Sequence, residues 1–220
     1  MAASAGLAAP AVAARPVWVW AAIATGLISI PSLFGGFSGD DLIQRLTLEG
    51  RIPDYRLGIF ELYEFTPPHM PARELIDLGI FPWFAGPDLS LRFFRPLSSA
   101  SLALDHVLFG RSPVLSHLQS WLWVVLLAIA AAALYQRWFS RGAALASALV
   151  FGLSTAHGTP TAWLASRHTL LGASFGVFAL WAWVKWREDE WRAGALLGPA
   201  LLVCSLLASE SGLVAVLLLV

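Results

Sequence analysis

Charge is what this 220-residue chain has least of: Asp, Glu, Lys and Arg make up 13% of it, against 58% apolar residues and a mean hydropathy of +0.70. Soluble domains carry about a quarter charged residues, so the scarcity excludes an ordinary soluble domain and marks an integral membrane protein. Net charge is zero, so no overall field points to nucleic acid as a partner. Cysteine is confined to Cys204, which excludes an intramolecular disulfide and a Cys-based zinc site. No metal-ligand spacing stands out. A divalent cation at the adjacent acids Asp40 and Asp41 suits the residue types, but two neighbouring carboxylates do not define a site.

What is present is a series of apolar runs, and a bilayer crossing needs about 20 mostly apolar residues. The first run is Val17 to Phe34, with no small-residue cleavage pattern after it, which predicts a retained helix and not a removed signal. Further runs cover about 114–134, 143–156, 164–184 and 193–208, and a sixth starts at Gly212. The expectation is an all-α polytopic integral membrane protein with about five full transmembrane helices and the start of a sixth. The short sixth run predicts that residues 1–220 are the N-terminal part of one transmembrane domain in a longer polypeptide.

The arginines set an orientation. Arg15 precedes the first run, Arg137 and Arg141 separate the second and third, and Lys185, Arg187 and Arg192 separate the fourth and fifth. Basic residues collect in short cytoplasmic connections, so these alternate connections are read as cytoplasmic, with the N-terminus, and residues 35–113 form one large extracytoplasmic loop. Trp18, Trp20, Trp138, Trp186 and Trp191 fall near the same ends, as an interfacial belt requires.

That outer loop is patterned. Ser38-Gly39-Asp40-Asp41 ahead of Leu42, Ile43 and Leu46 reads as a helix start with Ser38 as N-cap and Asp41 at the capping-box position. Gly50 to Asp54 and Thr66-Pro67-Pro68-His69 punctuate its middle, and Phe81 to Phe84 with Phe93-Phe94 suit the membrane interface. A helix with an apolar face over about 97–109, ending at Gly110, fits a position flat on the outer leaflet. By the topology above, Arg167-His168 and Glu210 return to the side of Asp40-Asp41.

Phe94-Arg95-Pro96-Leu97, Leu104-Asp105-His106, Phe109-Gly110, Ser116-His117-Leu118, the 157–163 stretch His-Gly-Thr-Pro-Thr-Ala-Trp, Ser166 to Leu171, and Ser209-Glu210-Ser211-Gly212 follow one another in an order that resembles the GT-C glycosyltransferases. The branch it is most similar to contains the transmembrane O-mannosyltransferases with tetratricopeptide repeats and related bacterial proteins. The chain carries Thr161 where that family's loop often has an acid, Ser166 in place of Gly, Thr169 where Asp is common, and Ser209 in place of Lys. The resemblance implies transfer of a sugar from a polyprenyl-phosphate donor to a glycan, lipid or protein acceptor on the extracytoplasmic face.

Such a reaction needs a base for the acceptor hydroxyl and a cation or donors for the leaving phosphate. On this resemblance Asp41 is the base or acceptor-positioning group with Asp40 as its helper, Arg167 and Arg95 face the donor phosphate, and Glu210 and His168 support them. Ordinary roles compete: a helix cap for Asp41, a solvated loop acid for Asp40, a cation snorkelling at a helix end for Arg167, interfacial packing for His168, and capping for Glu210. The alternative in function is a noncatalytic membrane protein or carrier that binds a lipid-linked glycan. The Ala-, Trp- and Arg-rich composition fits a bacterial inner membrane.

Overall fold

The computed structural model describes residues 16–219, apart from 53, 54, 56, 67–69 and 87. Arg15 and the Pro67-Pro68-His69 turn, like Pro53 and Asp54, lie outside the described residues. Among the described residues ten α-helices follow one another: α1 (Val17–Ile28), α2 (Asp40–Leu48), α3 (Ala72–Asp77), α4 (Pro96–Phe109), α5 (Pro113–Trp138), α6 (Arg141–Gly152), α7 (Gly158–Ala162), α8 (Arg167–Asp189), α9 (Gly194–Ala208) and α10 (Leu213–Leu219). Short 3-10 turns precede α7, α8 and α10 and extend α1 through Ile30–Phe34. The one bridge among the described residues pairs Glu64 with Arg92.

Among the described residues, three stretches are long and apolar enough to cross a membrane: Val17–Phe34, Pro113–Trp138 and Leu164–Asp189. Two more, α6 and α9, are apolar but have only 12 and 15 residues. At 1.5 Å per residue they run about 18 and 22 Å, short of a roughly 30 Å hydrocarbon core. Pro199 interrupts α9, and the segment after α6 breaks into a 3-10 turn and the five-residue α7.

Cross-contacts fix how the helices run. The Val17 amide donates to Gln136 Oε1 at 3.0 Å and the Trp121 indole to Gly26 O at 2.9 Å, so α1 and α5 are antiparallel. At one end Arg137 pairs with Glu188 and Asp189, so the C-termini of α5 and α8 lie side by side. Small residues let the long helices close: Ala21, Ala128, Ala132, Ala144 and Ala148 form the α1–α5–α6 core. Where the 3-10 turn before α10 packs on α9, a Cβ at Gly212 would stand 2.6 Å from Ser205 Oγ and 2.8 Å from its backbone carbon, so glycine is required by the approach alone.

The 35–113 segment sits at the end opposite the Arg137 cluster and has its own core of Tyr55, Met70, Ala72, Leu75 and Phe81. A second cluster, Leu62, Tyr63, Leu102, Ala103 and Leu164, joins it to α4 and to the turn ahead of α8. The α4 helix spans 96–109, nearly as its sequence pattern predicts, and leaves Leu104, Val107 and Leu108 exposed. Helix α2 departs from the expected cap. Its N-cap is Gly39 at φ 53°, a conformation that glycine alone adopts cheaply, and no side chain caps it. The other half of the capping box survives, since the Ser38 amide donates to Asp41 Oδ2 at 3.2 Å.

Candidate functional site

The residues singled out in the sequence lie at one end of the bundle, where the backbone of Ala165 joins Asp41 to Tyr63. Its N–H donates to Asp41 Oδ1 at 2.6 Å, and its carbonyl accepts from Tyr63 Oη at 2.8 Å. One residue of the turn before α8 is therefore held by two parts of the 35–113 segment, α2 through Asp41 and the stretch after it through Tyr63. Asp41 is buried. Burial pushes its carboxyl up, while hydrogen bonds from the Ala165, Ser38 and Leu164 amides and the His117 charge pull it back.

Asp40 differs. It occupies the first turn of α2, is half-buried, and receives no hydrogen bond among the described residues. Burial raises its pKa. A carboxylate that is reachable, unpaired and more basic than usual is the better proton acceptor of the two.

Tyr63 is the hub that sequence reasoning missed. The Arg95 guanidinium lies over its ring at 5.2 Å and the His168 ring meets it edge-on at 5.5 Å. Its phenol pKa is raised by burial, with Arg167 and Arg95 opposing the rise and Asp41 and Asp40 adding to it, so all four charges act on this one group. Nothing in the local sequence around Tyr63 distinguishes it from a packed aromatic.

The two expected phosphate-facing arginines have different surroundings. Arg95 stacks on Phe93 at 4.3 Å and pairs with Glu210, its Nε 2.8 Å from Oε2. Its side chain keeps 12% exposure, and that of Glu210 keeps 50%. The expected support from Glu210 is thus given to Arg95 and not to Arg167. His168 Nδ1 lies 3.2 Å from Ser209 Oγ.

Arg167 is wholly buried. Its Nε donates to Ser120 Oγ at 2.8 Å, Nη2 to Ser116 O at 2.7 Å, and Nη1 to Gln119 Oε1 and, at 3.4 Å, to Ser101 Oγ. Nη1 also lies 2.6 Å from Asp105 Oδ2. A guanidinium has five N–H donors, and these partners on α4 and α5 occupy it. Arg167 in this arrangement holds α8 to α4 and α5, and Arg95 is the cation within reach of a ligand.

Asp105 is the second residue that the sequence did not single out as functional. Burial pushes its carboxyl up to about 6, against the pull of Arg167 and His117. The remaining histidines tie backbone segments together: His117 Nε2 lies 2.7 Å from Gly36 O, and His157 Nε2 lies 2.8 Å from Phe151 O. Among the described residues no group of three His, Cys, Asp or Glu side chains is placed to hold a metal ion. No family model, curated protein or solved structure matches the chain.

Proposed function

We propose that the protein is a membrane glycosyltransferase of GT-C type, moving a sugar from a polyprenyl-phosphate donor to an acceptor at the extracytoplasmic face. The observation that carries this reading is a half-buried carboxylate without a hydrogen-bond partner, Asp40, at the same end of the bundle as Arg95, a guanidinium stacked on Tyr63 and held by Glu210, with both charges felt by that buried phenol. On this reading the helices alternate through five passes, α6 and α9 included, and the membrane is a bacterial inner membrane with the basic connections in the cytoplasm.

The chemistry divides among the residues. Asp40 takes the proton of the acceptor hydroxyl as its oxygen bonds to the anomeric carbon of the sugar. The bond from that carbon to the phosphate oxygen breaks, and the phosphate leaves with the electron pair. Arg95, held in plane by Phe93, Tyr63 and Glu210, faces the phosphate, where a planar guanidinium matches two oxygens at once. Asp41 positions Asp40 by fixing the first turn of α2 to Ala165. A prenyl-linked donor suits this position, since its tail stays in hydrocarbon while the phosphosugar reaches the polar end.

The burial of Asp41 and Arg167 in structural contacts favours one second reading, a carrier that binds a lipid-linked glycan without transferring it. Membranes holding the full chain, supplied with labelled sugar on polyprenyl phosphate, separate the two: incorporation into an acceptor supports the transferase, and donor binding without incorporation supports the carrier.

A further inference from the structure

Between α2, α4 and the turn before α8 lies a small chamber lined by Asp41, Gln44, Arg45, Asp105, His106 and Ser116, among others. Its volume is about 30 Å³, against about 10–15 Å³ required to hold one water molecule. Four of its lining side chains have a buried polar atom with no hydrogen-bond partner: Gln44 Oε1, Arg45 Nη2, Asp105 Oδ1 and His106 Nδ1. Gln44 and Asp105 are each only 4% exposed. The other oxygen of Asp105, Oδ2, lies 2.6 Å from Arg167 Nη1, its ion-pair partner.

Orphaned buried polar groups are costly, and they are rare unless something fills their place. These orphans include both donors and acceptors. Charges of both signs stand at the chamber, and its two arginines already have carboxylate partners, Arg45 in Glu49 and Arg167 in Asp105. A cation would meet Arg45 and an anion would meet Asp41 and Asp105, whereas water satisfies both kinds of group.

We infer that the chamber is a bound-water site in which one or two water molecules, held by Gln44, Arg45, Asp105 and His106, join the Asp41 and Asp105 carboxylates into one proton-sharing unit. The groups facing Asp105 from the surrounding elements are Asp41 and Arg45 on α2, His106 on its own helix, His117 on α5 and Arg167 on α8. Each sets the balance of the proton between the two acids. The site shares Asp41 with the proposed transfer site, but its readout needs no turnover.

Infrared difference spectra of the full chain in lipid vesicles, taken across pH 4 to 8 in ordinary and heavy water, test it. The expected result is a protonated-carboxyl band that Asp105→Asn removes. Asp41→Asn shifts the band's midpoint down by roughly one unit, because a like charge is removed. Gln44→Leu shifts it up by removing a ligand of the water beside Asp105. If Asp105→Asn does not fold, the two shifts still decide the matter with Asp105 intact. A midpoint unmoved by both substitutions overturns the inference, as does a high-resolution density map of the full chain with an empty chamber.

Discussion

Asp105 and Arg167 meet across the α4–α8 junction, carboxylate Oδ2 to guanidinium Nη1 at 2.6 Å, with 5% and 0% of their side chains exposed. Removing one partner of a buried pair leaves an uncompensated charge and costs roughly 3–5 kcal/mol. Arg167→Met and Asp105→Ala are therefore each expected to lower the unfolding temperature of the solubilised full chain strongly. The double variant should recover part of the loss, because it leaves no lone charge. A thermal-shift double-mutant cycle measures this, and simple additivity would refute the pairing.

Tyr63→Phe removes the donor to the Ala165 carbonyl and leaves that buried acceptor unpaired, a loss of about 1–3 kcal/mol. The aromatic ring remains, so Arg95 and His168 keep their packing. The expected outcome is a lower melting temperature with donor binding retained. Equilibrium binding of a polyprenyl-phosphate sugar, measured beside the melting curve, checks both halves.

Arg95 is expected to govern the donor. Arg95→Lys keeps the charge but loses the planar fork, and Glu210→Gln frees the guanidinium from its carboxylate. The first should raise the donor KM, and the second should change KM with little effect on stability, since the Glu210 carboxylate is half open to solvent. A substitution at Arg95 that leaves KM unmoved would take the phosphate role away from it.

Stability should also depend on pH with a definite sign. Burial raises Asp105 from 3.8 to about 6, so the folded state holds this proton more tightly than the unfolded state. The contribution is fully present below the unfolded value and is lost as pH rises through the folded one. Asp40 and Asp41, both raised by burial, tilt the curve the same way. Melting temperature is expected to fall between pH 4 and 7, and Asp105→Asn should flatten the slope. A rise over that window in the wild type would contradict the assignment.

Much of the fold was legible because a bilayer imposes length and apolarity on helices: the runs at 17–34, 114–134 and 164–184 correspond to the three stretches able to cross a membrane. The return of Asp41, Glu210 and the start of α8 to one end was legible too, from the alternation of basic connections. Burial was not. Arg167 reads as a cation at a helix end, and its partners Ser101, Asp105, Ser116, Gln119 and Ser120 come from two helices far earlier in the chain. Asp105 sits beside His106 on a helix with exposed apolar positions, where the two read as an interfacial pair. Tyr63 has no local pattern at all, since its importance comes from contacts with Arg95, Ala165 and His168.

The most direct measurement is sugar incorporation by membranes containing equal amounts of folded wild-type and Asp40→Asn full chain. General-base assistance is worth roughly 10²–10⁴-fold. Asp40→Asn is thus predicted to lose transfer by that order while its melting temperature and donor binding stay near those of the wild type. Transfer at the wild-type rate in Asp40→Asn would contradict the claim that this open carboxylate serves as the base.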